Sequence, residues 1–235
     1  MKPLTVEYLT VPEYRLDLAR CQNDMGFLHF TLGEMKDAED ALTAALAIRK
    51  QAVTEFPNVP ENRNDLAGTC VNLANLFLKQ RDFRSAKSHL EEAAPHHAAA
   101  LAAKPKHPIY RQFYRNNLSL LTFANAGLSD QTAAKGTALT VRNLGWDLVG
   151  DTYDAACLLS QCIQIIQKND AATKEARNAE AAFYGDEAMK LLRDAVAKGW
   201  KNADHMKKDT DLVPLRERED FQNLLADLEQ RQKNK

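Results

Sequence analysis

The chain has 235 residues, 45% of them hydrophobic, with 31 Lys and Arg against 32 Asp and Glu for a net charge of −1. That apolar content builds a packed core and excludes a disordered chain, while the lack of a basic surplus argues against a nucleic-acid partner. No run of about 18 apolar residues offers a membrane span, and Met1-Lys2-Pro3-Leu4-Thr5 lacks the apolar stretch of a secretion signal.

With 9 Gly and 8 Pro and abundant Ala and Leu, the composition favours helices. The four cysteines, Cys21, Cys70, Cys157 and Cys162, form no Cys-x-x-Cys pair. Cys21 and Cys70 fall on apolar positions of predicted helices, where a free thiol behaves as a small hydrophobe. All four are read as reduced, core or near-core residues, which fits a cytoplasmic protein. The alternative is a reactive Cys157 or Cys162.

Pro12, Pro60 and Pro108 stand 48 residues apart, as do Arg15, Arg63 and Arg111, and Pro57 and Pro105 keep the same step. A fixed period of this length signals stacked units that bury their apolar faces on one another. Residues 1–11 lead into Pro12 much as 55–59 lead into Pro60, so they read as the remnant of a preceding repeat in a longer chain. From Pro12 the pattern is helical. Leu18, Cys21, Met25, Leu28 and Leu32 form one stripe expected to face the core. Proline suits the first turn, and Gly33 is expected to end the helix in a left-handed conformation. A second helix, from about residue 36 to 55, carries Ala38, Ala41, Leu42, Ala45 and Ile48. In the next unit Leu66, Cys70, Leu73, Leu76 and Gln80 replace the first stripe, and Arg81 stands where Gly33 stood. Phe83, Ala86, Leu90 and Ala93 replace Met35, Ala38, Leu42 and Ala45.

The order Met25-Gly26, Gly33, Met35, Ala38, Leu42, Ala45 resembles the tetratricopeptide-repeat signature, and Leu73-Ala74, Phe83, Ala86, Leu90, Ala93 resembles it again. Two departures stand out. Gln22 and Cys70 occupy the place of the usual first-helix Trp, and the period is 48 rather than about 34. The additional 14 residues amount to about four helical turns, so both helices of each pair are expected to be longer. The resemblance implies an all-α, tetratricopeptide-like helical-hairpin solenoid, a right-handed superhelix whose first helices line a concave groove.

A third unit begins with a predicted helix over residues 108–126. Its partner, about residues 129–148, contains Gly136 and Gly145 and has a weak stripe, with Ser129 and Asp130 as candidate N-caps. The first helix of a fourth unit is read from Asp151, which is its candidate cap, and includes Ala155, Ala156, Leu158, Leu159 and Cys162. A polar insertion over residues 168–181 is expected before a closing helix with Ala188, Leu192 and Ala195, stopped by Gly199. A turn near Ala203–Met206, the stretch from Asp209 to Leu215 and a last helix over about residues 219–230 form a cap, since a solenoid needs a polar end. The organisation is thus a remnant (1–11), three helix pairs (12–59, 60–107, 108–148), and an irregular fourth pair with C-terminal capping helices (149–235). The last part resembles the C-terminal tail of certain large bacterial serine/threonine protein kinases. It does so through Tyr153-Asp-Ala-Ala-Cys157, Gly199-Trp200 and the run from Asp209 to Arg216 before Phe221. The Pro12-Glu-Tyr-Arg15 and Asp17-Leu-Ala19 elements are similar to the repeats of those proteins.

No kinase glycine-rich loop, His-Arg-Asp loop or Asp-Phe-Gly is present, and neither is a Walker loop or a Gly-x-Ser-x-Gly elbow. The chain is therefore read as non-catalytic, with no cofactor. His89, His96, His97 and His107 lack metal-ligand spacing and read as a solvated or partly packed helix end. Asp209 and Asp211 read as caps of a Pro-containing turn. Arg15, Arg63 and Arg111 are expected to pair with acids on the neighbouring unit.

The candidate site is the groove, whose columns recur every 48 residues: Phe27, Asn75 and Phe123; Asn23, Val71 and Ser119; Phe30, Leu78 and Ala126. Rings supply apolar area, and amides bond a peptide backbone. Asn72 sits beside them, and Arg20 and Arg115 add charge at the edge. The family's carboxylate-clamp lysines are missing, so acidic C-termini are not the expected ligand. The reading is a protein–protein interaction scaffold that takes a protein or peptide partner, as the resemblance to kinase-associated repeats implies. A structural spacer or self-association module is the alternative, and a small-molecule enzyme a third.

Overall fold

A computed structural model describes residues 11–233, so the expectation for residues 1–10 lies outside the described residues. The described residues are helical throughout, with no strand among them. The helices are α1 (Pro12–Leu32), α2 (Met35–Glu55), α3 (Pro60–Lys79), α4 (Phe83–Ala103), α5 (Pro108–Gly127), α6 (Gln131–Arg142), α7 (Leu148–Gln167), α8 (Lys174–Lys198), α9 (Ala203–Lys208) and α10 (Glu219–Lys233), with a 3-10 turn over Thr210–Leu215. Hairpins packed in sequence order give the all-α, tetratricopeptide-like solenoid architecture. The chain divides into two compact units between Leu120 and Leu121, a point inside α5.

In the first unit the repeat is visible in how helices start. Val11 (φ −89°, ψ 117°) and Val59 (φ −93°, ψ 106°) are extended, as the following proline demands, and Pro12 and Pro60 open their helices where no N–H is needed. The recurring arginine then fastens the start. Arg63 Nε donates to Pro57 O at 3.0 Å and Arg111 Nε to Pro105 O at 2.9 Å, a carbonyl six residues back in each case. For Arg63 this replaces the expected acid on the neighbouring unit. Arg15 does meet an acid, but Glu55 of its own hairpin, with Nη1 3.0 Å from Oε1.

The ends repeat as well. Gly33 (φ 84°), Arg81 (φ 60°) and Ser129 (φ 58°) all take the left-handed conformation at a 48-residue step. In each, the next N–H reaches back to the carbonyl five residues earlier: Glu34 to His29 (2.9 Å), Asp82 to Phe77 (2.9 Å) and Asp130 to Asn125 (3.0 Å). This closes the helix with a Schellman-type pair of bonds. The geometry persists after glycine is lost, at a cost of about 1 kcal/mol per non-glycine residue.

Packing follows the small-large-small triplets. Ala38, Leu42 and Ala45 on α2, and Ala86, Leu90 and Ala93 on α4, are all buried. Gly26 lets α1 approach α2, since a Cβ there would lie 2.6 Å from Leu42 Cγ. The first stripe needs a correction. Leu66, Leu73 and Leu76 of α3 are buried, but Leu18, Met25 and Leu28, 48 residues earlier on α1, are not. Met25, Leu28 and Leu32 are 48%, 56% and 64% exposed. Cys21 is exposed rather than core, and Leu18 is half-buried. The physical reason is neighbours: α2 packs on α3, whereas no described element packs on that face of α1.

In the second unit α6 runs over Gln131–Arg142, shorter than the 129–148 expected. Asp130 is its cap, its carboxylate accepting from Ala133 N at 3.0 Å. The stripe that looked weak keeps the register in smaller residues: Ala134, Ala138 and Val141, each 48 after Ala86, Leu90 and Ala93, are buried. Helix α7 starts three residues before Asp151, capped by Asp147. Asp151 instead folds its buried carboxylate back onto the N–H groups of Trp146 (2.9 Å) and Asp147 (3.1 Å). The supposed polar insertion is mostly helix. α8 begins at Lys174, capped by Thr173, so exposed Glu175 and half-buried Arg177 and Glu180 belong to its first turns.

A polar and aromatic knot ties α7 to the cap. The rings of Tyr153 and Trp200 stack at 3.8 Å, and Tyr153 Oη donates to Asp209 Oδ2 at 2.8 Å. Asp209 Oδ1 accepts from Asp211 N at 2.9 Å, the expected capping role.

Candidate functional site

A pocket of about 260 Å³ opens in the first unit, lined by residues of α1 to α5. Five of its residues are asparagines: Asn23, Asn64, Asn72, Asn75 and Asn116. The rest of the wall includes Arg49, Asp65, Gly68, Val71, His97 and Phe113.

Part of this wall is locked. Asn72 Nδ2 donates to Asn23 Oδ1 at 3.0 Å, and Thr69 Oγ1 donates to the same oxygen at 3.2 Å. Arg49 Nη1 donates to Thr69 Oγ1 and to Asp65 O, the latter at 2.6 Å. Three helices therefore share one hydrogen-bonded chain from Arg49 to Asn72. Arg49 is buried and its pKa is lowered, first by loss of hydration, yet a guanidinium stays charged. No carboxylate among the described residues forms a direct ion pair with it, and Asp65 and Asp24 act on it only at longer range. Asp65 reaches solvent at the mouth. Protein crowding around it is the main cause that raises its carboxyl pKa, an effect that Arg49 opposes and open solvent moderates.

Another part is left open. His97 is 1% exposed, and neither ring nitrogen has a hydrogen-bond partner among the described residues. Its ring lies edge-on to Phe113 at 6.4 Å and tilted to Tyr114 at 6.5 Å. Burial pushes its pKa down to about 4, with His96 adding to the effect, so the imidazole is neutral at pH 7. This histidine is thus not the solvated or partly packed helix-end residue expected. Asn64 Oδ1 is also buried without a partner. Gly68 leaves space, with no atom within 4 Å of where a Cβ would stand.

Of the residues singled out from sequence, Asn23, Asn72 and Asn75 line this pocket together. Arg20 is exposed and paired to Asp17 at 3.1 Å. Phe27 is 56% exposed, and Phe30 lies under the Lys79 ammonium, 4.8 Å from its ring centre. These three are not part of the pocket wall. Ser119 spends its hydroxyl on Arg115 O at 2.9 Å, within its own helix. Arg115 and Ser119 lie outside the pocket wall, and Phe123 belongs to the second unit. Sequence reasoning missed Arg49 and His97, which stand 48 residues apart at the same repeat position. Arg49 lies three and seven residues after Leu46 and Leu42 on the buried stripe of α2, and that register was the signal available.

Metal-ligand chemistry is weak where side chains gather. Cys157, Asp209 and Asp211 have ligand atoms within 4.8 Å of one another, but both Asp209 oxygens already accept hydrogen bonds. Burial, ahead of the neighbouring aspartates, pushes the Cys157 thiol strongly up, away from the thiolate a metal needs. His29, Glu34 and Asp37 cluster at the exposed α1–α2 turn, where His29 Nδ1 is 2.5 Å from Glu34 Oε2.

Residues 18–57, which span most of α1 and all of α2, match the tetratricopeptide-repeat family model. No curated protein matches the chain. Repeats of this kind generally mediate protein–protein interaction. No described helix is long and apolar enough to cross a membrane.

Proposed function

We propose that this chain is a non-catalytic protein-interaction module whose first-unit pocket takes an extended segment of a partner protein. One observation carries the reading: five asparagines ring a pocket that also contains a buried histidine with no partner for either nitrogen among the described residues. An amide offers two donors and two acceptor lone pairs, which complements a peptide backbone. The locked Asn23–Asn72–Thr69–Arg49 chain keeps that wall in shape before a partner arrives, which lowers the ordering cost of binding. Asn23, Asn72 and Asn75 are the proposed contacts from the predicted set. Arg20, Phe27, Phe30, Arg115, Ser119 and Phe123 serve only if the segment runs beyond the pocket.

Gly68→Trp tests the reading. The new side chain projects into open pocket space, so the fold survives and the pocket is filled. Peptides selected from a random display library against the natural sequence should then bind at least tenfold more weakly, with a melting temperature no lower than that of the natural sequence. Undiminished binding by Gly68→Trp would refute the site.

The finer reading rests on the resemblance of the last third to the tails of bacterial serine/threonine protein kinases: the module recruits partners for such a kinase. A kinase catalytic loop in the same reading frame upstream is the expected finding, and a stop codon there removes that setting. The free, buried thiols of Cys70, Cys157 and Cys162 support a reducing compartment such as the cytoplasm.

A further inference from the structure

The charges that act most on the buried guanidinium of the asparagine pocket cancel. Arg49 and Arg20 are the cations, and Asp65 and Asp24 the carboxylates. Glu61, which also acts on Asp65, is paired with Lys104. An ionised side chain entering here therefore gives up its water and meets no net counter-charge. The wall is at the same time rich in unspent hydrogen-bonding groups. The bonds that Arg49 makes among the described residues both leave from Nη1 and end on uncharged oxygens. Asn64 Oδ1 is a buried acceptor without a partner, and the neutral His97 ring has a donor and an acceptor nitrogen in the same state. Asn75 is half-buried in the wall and makes no side-chain hydrogen bond among the described residues. An apolar group filling the space leaves these atoms unpaired, at the desolvation cost of each. At about 260 Å³ the pocket is smaller than the roughly 300–1,000 Å³ of small-molecule sites, and it has room for one side chain with its flanking backbone.

We propose, resting on the reading of this pocket as a peptide site, that the partner segment inserts the carboxamide of an asparagine or glutamine side chain. A carboxamide is neutral, so it needs no counter-charge, and it carries two N–H donors and an oxygen with two lone pairs. Its oxygen suits the donor-only guanidinium of Arg49. Its N–H groups suit the acceptors of the wall, Asn64 Oδ1 and the Asp65 carboxylate at the mouth. Each ionic alternative fails on one side. A carboxylate has no donor for those acceptors, and Asp65 and Asp24 repel it. An ammonium has no acceptor for Arg49, and Arg49 repels it. A buried polar site rejects a group that leaves its donors or acceptors unpaired more strongly than an apolar pocket rejects a wrong methylene.

Peptides selected from a random display library on the full chain should share an Asn or Gln at one position. In the tightest of them, replacing that residue by the Asp or Glu of equal length, or by Leu, should weaken binding about tenfold or more in fluorescence anisotropy. Gly68→Trp should weaken it as much. Asp65→Asn, at an exposed position, removes a repelling carboxylate and should tighten binding of the acidic peptide about threefold or more. Three results overturn the carboxamide and leave the peptide pocket standing: binders blocked by Gly68→Trp that share no amide, binders that keep their affinity with Asp, Glu or Leu in its place, and an acidic peptide that gains nothing from Asp65→Asn. Binders indifferent to Gly68→Trp, or no binder at all, overturn both.

Discussion

His97 offers a test of the pocket's electrostatics in the molecule alone. Its folded pKa of about 4 lies below the ordinary 6.5, with burial the main cause. A depressed histidine is harmless above pH 6.5, where both folded and unfolded chains leave it neutral. As pH falls below 6.5, the unfolded chain gains a proton that the folded chain refuses, and stability drops until the folded ring titrates near pH 4. At 1.36 kcal/mol per unit, His97 alone removes about 2 kcal/mol between pH 7 and pH 5. Against a total of roughly 5–15 kcal/mol, that is measurable. His97→Leu removes the titration and also the two unpartnered nitrogens, whose burial costs on the order of 1–3 kcal/mol. Urea unfolding followed by circular dichroism at pH 7, 6 and 5 compares the two proteins. His89 and His96, also lowered by burial, are present in both, so their effects largely cancel. The variant should lose about 2 kcal/mol less than the natural sequence between pH 7 and 5. Parallel profiles would show that His97 takes up a proton normally, and the description of it as buried and unpartnered would be wrong.

Backbone and packing give further expectations, all read from thermal or urea unfolding. Gly33→Ala should cost about 1 kcal/mol through its left-handed φ alone, since its Cβ position is open, while Arg81→Gly and Ser129→Gly should be neutral or stabilising by up to about 1 kcal/mol. Gly68→Ala and Gly136→Ala lie inside helices with open space and should each stabilise by about 0.5–1 kcal/mol. Tyr153→Phe keeps the stack on Trp200 but removes the hydrogen bond to Asp209, a charged acceptor, and should cost about 1.5–3 kcal/mol. Leu42→Ala, at a fully buried site between α1 and α2, should cost about 2–5 kcal/mol.

The repeat was legible because its markers are local: prolines, arginines and small residues at one step of 48. Its conformational content was only partly legible. Arg81 and Ser129 keep the left-handed turn without the glycine that announces it. Ala134, Ala138 and Val141 keep a core register whose residues are too small to stand out as a stripe. The α1 stripe misled for a different reason. Periodicity shows that a face is apolar but not whether a neighbour covers it, and here the described residues leave it bare. At the site, Asn23 and Asn75 came from the groove columns of the first helices, with Asn72 named beside them. Arg49 and His97 came from the second helices, where charge and imidazole on a buried register look like exceptions to packing until the pocket beside them is seen.

The most direct measurement follows the asparagine side-chain amides by ¹H–¹⁵N correlation spectroscopy while a display-selected peptide is added. The account predicts that the amide pairs of Asn72, Asn75 and Asn116 shift in a saturable way and that the same peptide moves none of them in Gly68→Trp. Shifts confined to residues outside the pocket, or an unchanged titration in Gly68→Trp, would contradict it.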